Sequence, residues 1–303
     1  MEQLKGRDFL SMADFSRQEV LAVLARAQSY KAGETAPPMG GKTLGLLFRK
    51  ASTRTRVSFT TAMYQLGGNV IDLDPNVTQV SRGEPIEDTA RVLDRYVDVL
   101  AIRTFDHSEL STFADLCHIP IINALTDREH PCQALADLLT IQENFDTLQG
   151  LTLTYLGDGN NVAHSLLLAC AIVGLHIRVA SPKGFEPLPE IVNLAQKLAH
   201  HSQVTVTNDP RAAVENCHIL YTDVWASMGQ EQEQNQRMPI FAPYQLNQEL
   251  LSLADPDRIV LHCLPAHRGE EITAEVLEGE HSRVWDQAEN RLHAQKALLS
   301  CLL

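Results

Sequence analysis

The chain has 303 residues, which at about 150 residues per domain suggests two domains, each long enough to bury a core. Hydrophobic side chains make up 44% and charged ones 21%, close to the average for soluble proteins, so neither a disordered tail nor a fibrous repeat is required. The 38 acidic and 25 basic side chains leave a formal net charge of -13, which repels nucleic acid and anionic membrane surfaces at long range. An anionic ligand must therefore be captured by local donors.

The longest run free of charge and strong polarity, Ser165 to Leu175, covers 11 residues, far short of the roughly 20 that cross a bilayer. It reads as a buried helix. The N-terminal stretch MEQLKGRDFLSMADF places charges where a secretion signal needs a continuous apolar core. A cytoplasmic protein without a membrane or nucleic-acid partner is expected. Six cysteines, Cys117, Cys132, Cys170, Cys217, Cys263 and Cys301, form no CxxC pair, so neither a zinc ribbon nor a disulfide framework is indicated. Their expected role is packing as small hydrophobes.

Helical and extended patterns alternate along nearly the whole chain, the mark of parallel sheets built from βαβ units. Ser16 with Glu19 forms a capping box, and Val20, Leu21, Val23 and Leu24 continue one helical face. A strand from Thr43 to Phe48 leads through Arg49-Lys50-Ala51 to a helix from Ser52 to Leu66, stopped by Gly67-Gly68. Further strands are expected at Val70 to Leu73, Val97 to Ile102 and Ile119 to Leu125, each separated from the next by enough chain for a crossover helix. They close one sheet of about four strands.

A helix from His130 to Phe145 is followed by a hinge-like stretch, Asp146 to Gly150. The boundaries expected are 1–145 for the first domain and 150–285 for the second, with a helix at about 286–303 crossing back to the first. The second domain opens with the β-prone run Leu151 to Leu156, then Gly157-Asp158-Gly159 and an apolar helix from Val162 to Leu175. Strands follow at His176 to Ala180, Gln203 to Thr207, His218 to Thr222 and Arg258 to Cys263. Gln230 to Met238 is too polar for a core and is expected to be a mobile loop over a cleft. No internal repeat is present.

Ligands of open parallel sheets collect at the carboxyl ends of the strands. Four loops there carry unusual chemistry. Ser52-Thr53-Arg54-Thr55-Arg56 combines a helix N-terminus, hydroxyls and guanidinium groups, the equipment of a phosphate site. Alone, the same residues also suit a capped helix with surface arginines. Arg103-Thr104 adds a cation after the next strand. His130-Pro131-Cys132-Gln133 offers an imidazole and an amide suited to a carbonyl oxygen and an amide nitrogen, although a lone histidine is more often a satisfied structural residue. In the second domain, Asp223 with Ser227-Met228-Gly229 and His262-Cys263-Leu264-Pro265 suit a cationic amine. A carboxylate beside Cys263 disfavours a thiolate, so covalent catalysis is not the first choice.

Together, Ser52-Thr53-Arg54-Thr55, His130-Pro131-Cys132-Gln133, Asp223 with Ser227-Met228-Gly229, and His262-Cys263-Leu264-Pro265 resemble the signature loops of the carbamoyltransferase family, on its ornithine-using branch. The order of the motifs is kept from about residue 5 to residue 300. The resemblance implies two αβα domains, each with a central, mostly parallel sheet. It further implies a homotrimer with shared active sites and no metal or organic cofactor. By the same resemblance Ser52, Thr53, Arg54, Thr55, Arg103, His130, Gln133, Cys263, Leu264 and Arg291 meet carbamoyl phosphate, with Gln79 reaching a neighbouring subunit's site. Asn161, Asp223, Ser227 and Met228 bind L-ornithine, and Arg103, His130 and Cys263 are the catalytic set. The activity implied is carbamoyl transfer to the δ-amine within arginine metabolism, with cleft closure on ornithine binding. Two other readings compete. A nucleotide-dependent oxidoreductase is suggested by Gly157-Asp158-Gly159, but Val162 stands where a third glycine belongs. A non-catalytic relative would need none of the reactive side chains that are present.

Overall fold

The computed structural model describes residues 4–74, 83–226 and 234–303, so Gln79, Ser227 and Met228 lie outside the described residues. Two compact units are present: Met1–Leu139 with Asn290–Leu303, and Thr140–Glu289.

In the first unit, α1 (Arg17–Lys31) begins at the capping box, where Glu19 N–H donates to Ser16 Oγ and Ser16 N–H to Glu19 Oε2. The chain then alternates through β1 (Thr43–Phe48), α2 (Arg54–Gln65), β2 (Asn69–Leu73), α3 (Ile86–Leu93), β3 (Val99–Arg103), α4 (His107–Leu116), β4 (Ile121–Leu125) and α5 (Pro131–Phe145). All pairings are parallel, in the order β2-β1-β3-β4. β1, β3 and β4 are covered on both faces, which is why they read as largely apolar runs. β2 is an edge strand with mostly exposed or half-exposed positions. Leu47, Leu100, Ile102, Leu110, Phe113 and Ile121 close one core under α3 and α4. Truncation of such a leucine to alanine costs about 2 to 5 kcal/mol.

The second unit runs β5 (Thr152–Leu156), α6 (Asn161–Val173), β6 (His176–Ala180), α7 (Pro189–Leu198), β7 (Val204–Thr207), α8 (Pro210–Val214), β8 (Ile219–Thr222), α9 (Gln234–Phe241), α10 (Gln248–Leu251), β9 (Ile259–His262) and α11 (Ala274–Leu277). Its five parallel strands are ordered β7-β6-β5-β8-β9. Helix α6 is buried on every side from Val162 to Val173, so its sequence is apolar all round instead of amphipathic. It ends at Gly174, whose φ of 90° is a left-handed cap that glycine adopts without strain. The last helix, α12 (Val284–Leu302), ends in the first unit, where Ser300 Oγ bonds the Tyr30 hydroxyl of α1 at 3.1 Å. Among the described residues no helix is long and apolar enough to cross a membrane.

One expected loop is not a loop throughout. Gln230 to Met238 enters α9 at Gln234. The reason is Arg237, which is buried: its Nη1 donates to Asp158 Oδ2 and to the Trp225 carbonyl, each at 2.9 Å, and its guanidinium lies 5.0 Å from the Phe185 ring centroid. A buried, ion-paired cation holds a stretch whose composition favours solvent. All six cysteines are free. Burial pushes the Cys132 thiol up to about 12 and the Cys217 thiol up to about 11, consistent with inert packing.

Candidate active site

Strand order places the two candidate half-sites. In the first unit the chain turns to opposite sides after β1 and after β3, so the loops that follow these neighbouring strands splay apart at their carboxyl ends. Ser52 and Thr53 lie in the first of those loops, Arg54 and Thr55 open α2, and Arg103 is the last residue of β3. In the second unit the same reversal falls between β5 and β8, whose loops carry Asn160 with Asn161 and Asp223.

The hydroxyls at the start of α2 are not spent on capping. Thr53 occupies the N-cap with helical dihedrals and makes no side-chain cap hydrogen bond, and the first turn holds no acidic residue. The side-chain-capped reading of this helix start therefore fails for Thr53, and the first N–H groups of α2 receive no side-chain cap from it. Thr55 is buried and Ser58 behind it donates to the Thr55 carbonyl at 3.2 Å.

Arg291, on the part of α12 that belongs to the first unit, organises the floor. Its Nη1 donates to Gln133 Oε1 at 2.6 Å and its Nη2 to Thr55 Oγ1 at 3.0 Å. Gln133 in turn donates from Nε2 to Asp137 Oδ1 at 2.8 Å, one turn further along α5. The amide is thereby fixed with its oxygen toward Arg291. Asp137 was not anticipated; its only sequence signal is an acidic residue four positions after Gln133.

His130 precedes α5 and is buried. Loss of hydration, then the positive charges of Arg291, Arg103 and Arg54, holds its imidazole well below the ordinary value of 6.5. A neutral ring keeps one N–H to donate without adding a fourth positive charge. The Arg103 loop is held by its own network: Arg49 N–H donates to the Arg103 carbonyl at 2.8 Å, and Arg49 pairs with Glu109 at 2.5 Å. Lys50 lies 4.1 Å from the Phe105 ring centroid, and half-burial together with Arg103 lowers its pKa.

In the second unit the Cys263 thiol donates to Asp223 Oδ1 at 3.0 Å, while Asn160 Nδ2 donates to Asp223 Oδ2 at 2.9 Å. Both carboxylate oxygens are thus oriented. Asn160 also caps α6, its Oδ1 accepting from Val162 N–H, Ala163 N–H and the Tyr155 hydroxyl. Burial, then Asp223 and Asp158, pushes the Tyr155 hydroxyl well above its usual value, so it remains a donor. Asn161 is the first residue of α6, next to this network. An asparagine at a helix start was the available signal for Asn160.

Leu264 follows β9 with φ at 59°, a left-handed conformation that leucine rarely adopts, and its N–H donates to His262 Nδ1 at 2.9 Å. His262 Nε2 bonds Glu271 Oε1 at 3.0 Å, with both side chains fully buried. The ring is therefore fixed as the Nε2–H tautomer, and the Cys263–Leu264 peptide is held by this pair.

Gly157-Asp158-Gly159 has a packing role. A Cβ on Gly159 would stand 2.2 Å from Pro187 N and 2.7 Å from the Phe185 carbonyl oxygen, so glycine is required by the close approach of residues 185–187. Asp158 is ion-paired with Arg237. The dinucleotide reading loses its support.

Residues 7–143 match the carbamoyl-phosphate-binding domain of the aspartate/ornithine carbamoyltransferase family, and residues 149–302 match its aspartate/ornithine-binding domain. The chain belongs to this family and is a carbamoyltransferase with two α/β domains. It is 67% identical to the ornithine carbamoyltransferase of Thermosynechococcus vestitus over 304 aligned positions, covering 100% of this chain and 98% of the relative. The crystal structure of ornithine carbamoyltransferase from Gloeobacter violaceus superposes with a TM-score of 0.90 at 55% identity, covering 98% of this chain and 99% of that one. That of Pyrococcus furiosus gives 0.94 at 47% identity, covering 99% and 97%.

Proposed function

We propose that this chain transfers the carbamoyl group of carbamoyl phosphate to the δ-amine of L-ornithine, giving L-citrulline and phosphate. The observation that carries the reading is the buried cluster of Thr55, Gln133 and Arg291 beside a neutral His130, matched in the other unit by the Cys263–Asp223 pair.

Ser52, Thr53, Arg54 and Thr55, with Arg103, take the phosphate, aided by the positive end of α2. Gln133 Oε1 has a second lone pair for the carbamoyl amide, and Arg291 fixes it there. As the tetrahedral transition state forms, charge grows on the carbonyl oxygen. Arg103, the N–H of His130 and the Thr55 hydroxyl donate to it, each such donor being worth about 3 to 4 kcal/mol in comparable sites.

On the ornithine side, Asp223 with Asn161 takes the α-ammonium group, and Ser227 and Met228 complete the binding of the amino-acid end. The δ-ammonium group, of pKa about 10.4, gives one proton to solvent and reacts as the neutral amine. Because the Cys263 S–H is turned toward Asp223, its sulfur lone pairs and the Leu264 carbonyl are left to accept from that amine. The departing phosphate dianion takes the proton released after attack, so no separate general base is needed.

A homotrimer, with Gln79 of each subunit serving a neighbour's site, belongs to the same proposal. Its support is the exposure of large apolar side chains on the first unit, Val57, Tyr64, Ile71, Val92 and Tyr96, with Ile71 on the edge strand β2. Light scattering should give three times the chain mass, and a monomer would contradict it. The residue assignments are tested by a crystal of the protein with a phosphonate bisubstrate mimic of carbamoyl phosphate and ornithine. The phosphonate should contact Ser52 to Thr55 and the α-amino group Asp223; a phosphonate elsewhere removes the proposal.

A further inference from the structure

Beyond the reacting loops, the chain from His267 to Ile272 forms a tightly held turn. Glu270 N–H donates to the His267 carbonyl at 2.9 Å and Gly269 N–H to the Ile272 carbonyl at 2.8 Å. Gln245 Nε2 donates to the carbonyls of Gly269 and Glu270 at 2.9 and 2.8 Å, and Leu246 N–H donates to the Glu271 carbonyl at 2.8 Å. The backbone is therefore fixed before any ligand arrives.

Three side chains converge on one side of this turn. His267 Nδ1 lies 3.8 Å from Glu270 Oε2 and 3.8 Å from Glu271 Oε2, and one ligand atom from each residue falls within 4.8 Å of the others. Glu271 is fully buried. Its Oε1 accepts from His267 N–H at 2.6 Å and bonds His262 Nε2 at 3.0 Å, while its Oε2 accepts no hydrogen bond among the described residues. A buried carboxylate oxygen turned toward an imidazole nitrogen, yet beyond hydrogen-bonding reach of it, asks for a positive partner between them.

We propose that His267, Glu270 and Glu271 bind a divalent transition cation such as Zn2+ or Co2+. One imidazole nitrogen and two carboxylate oxygens suit a borderline cation. At bond lengths of about 2.1 Å, tetrahedral ligands stand about 3.4 Å apart, so small side-chain rotations close the observed spacing. His267 is partly exposed, which leaves a face for a water ligand and a path of entry. The neighbouring Arg268 turns to Glu278 at 2.5 Å and does not compete for the space.

The test uses the full chain, stripped of metal and titrated with Co2+. Weak d–d absorption of a nitrogen- and oxygen-ligated ion should grow to one equivalent. In His267→Ala and in Glu270→Gln, both at positions outside the core, the affinity read from that band should fall at least tenfold. Asp223, His262 and Cys263 form a second group of ligand atoms within 4.8 Å, but Co2+ there would show an intense thiolate charge-transfer band that neither substitution alters. Absence of the nitrogen- and oxygen-type band in the unsubstituted chain, or its persistence unchanged in both variants, overturns the proposal.

Discussion

Arg291 Nη1 donates to Gln133 Oε1 at 2.6 Å, joining residues 158 positions apart in sequence. The same guanidinium reaches Thr55, so one side chain aligns two of the groups assigned to carbamoyl phosphate. Arg291→Met keeps the length and removes the donors, leaving Thr55 Oγ1 and Gln133 Oε1 without them. Unfolding in urea should show a loss of about 1.5 to 3 kcal/mol. KM for carbamoyl phosphate should rise while KM for ornithine moves little. Unchanged stability and unchanged KM values would mean that Arg291 is a bystander.

His130 gives the site a defined acid response. Its native pKa lies well below 6.5, so under mild acid the unfolded chain takes up a proton that the native chain refuses. Stability from this group is present above about pH 6.5 and is lost as pH falls, by up to about 1.4 kcal/mol per pH unit, until the native value is reached. Urea unfolding at pH 7 and pH 5 should show a steeper decline for the unsubstituted protein than for His130→Gln. Parallel declines would place a charged imidazole in the native state.

The two half-sites should respond separately. Asp223→Ala removes the partner assigned to the α-ammonium group and should raise KM for ornithine by roughly 10- to 150-fold, the equivalent of a charged hydrogen bond, with a much smaller change for carbamoyl phosphate. Arg54→Ala should do the reverse. Steady-state kinetics with each substrate varied in turn reads both; equal effects on the two substrates would refute the division of labour.

Gly159→Ala tests the packing role of the Gly157-Asp158-Gly159 turn. Since the new methyl would meet the backbone of residues 186 and 187, the melting temperature should drop, by the equivalent of about 1 to 3 kcal/mol. NADH should bind neither form. An undisturbed melting temperature would show that the approach is looser than described.

Much of this was legible from local pattern because local chemistry decided it. The apolar run of β1 followed by hydroxyls and arginines marks a strand, a turn and a helix start. The apolar run of α6 from Leu166 to Val173 announces its own burial. The failures have a common cause in distance along the chain. Arg237 is folded inward by the Trp225 carbonyl and by Asp158 and Phe185, the last two far from it in sequence, so its polar surroundings read as a loop. The roles of Asp137 and Asn160 depend on Gln133 and Asp223 being held in place by other partners, which spacing alone does not encode. Gly159 looked like part of a nucleotide fingerprint until the neighbouring backbone accounted for it.

The most direct measurement is the choice of carbamoyl acceptor by the purified protein, with carbamoyl phosphate present and ornithine, putrescine, acetylornithine and aspartate offered separately. The role proposed for Asp223 calls for a free α-amino acid end, so citrulline should form from ornithine with kcat/KM at least about 100-fold above that for any other amine. Faster transfer to putrescine, acetylornithine or aspartate would contradict the account.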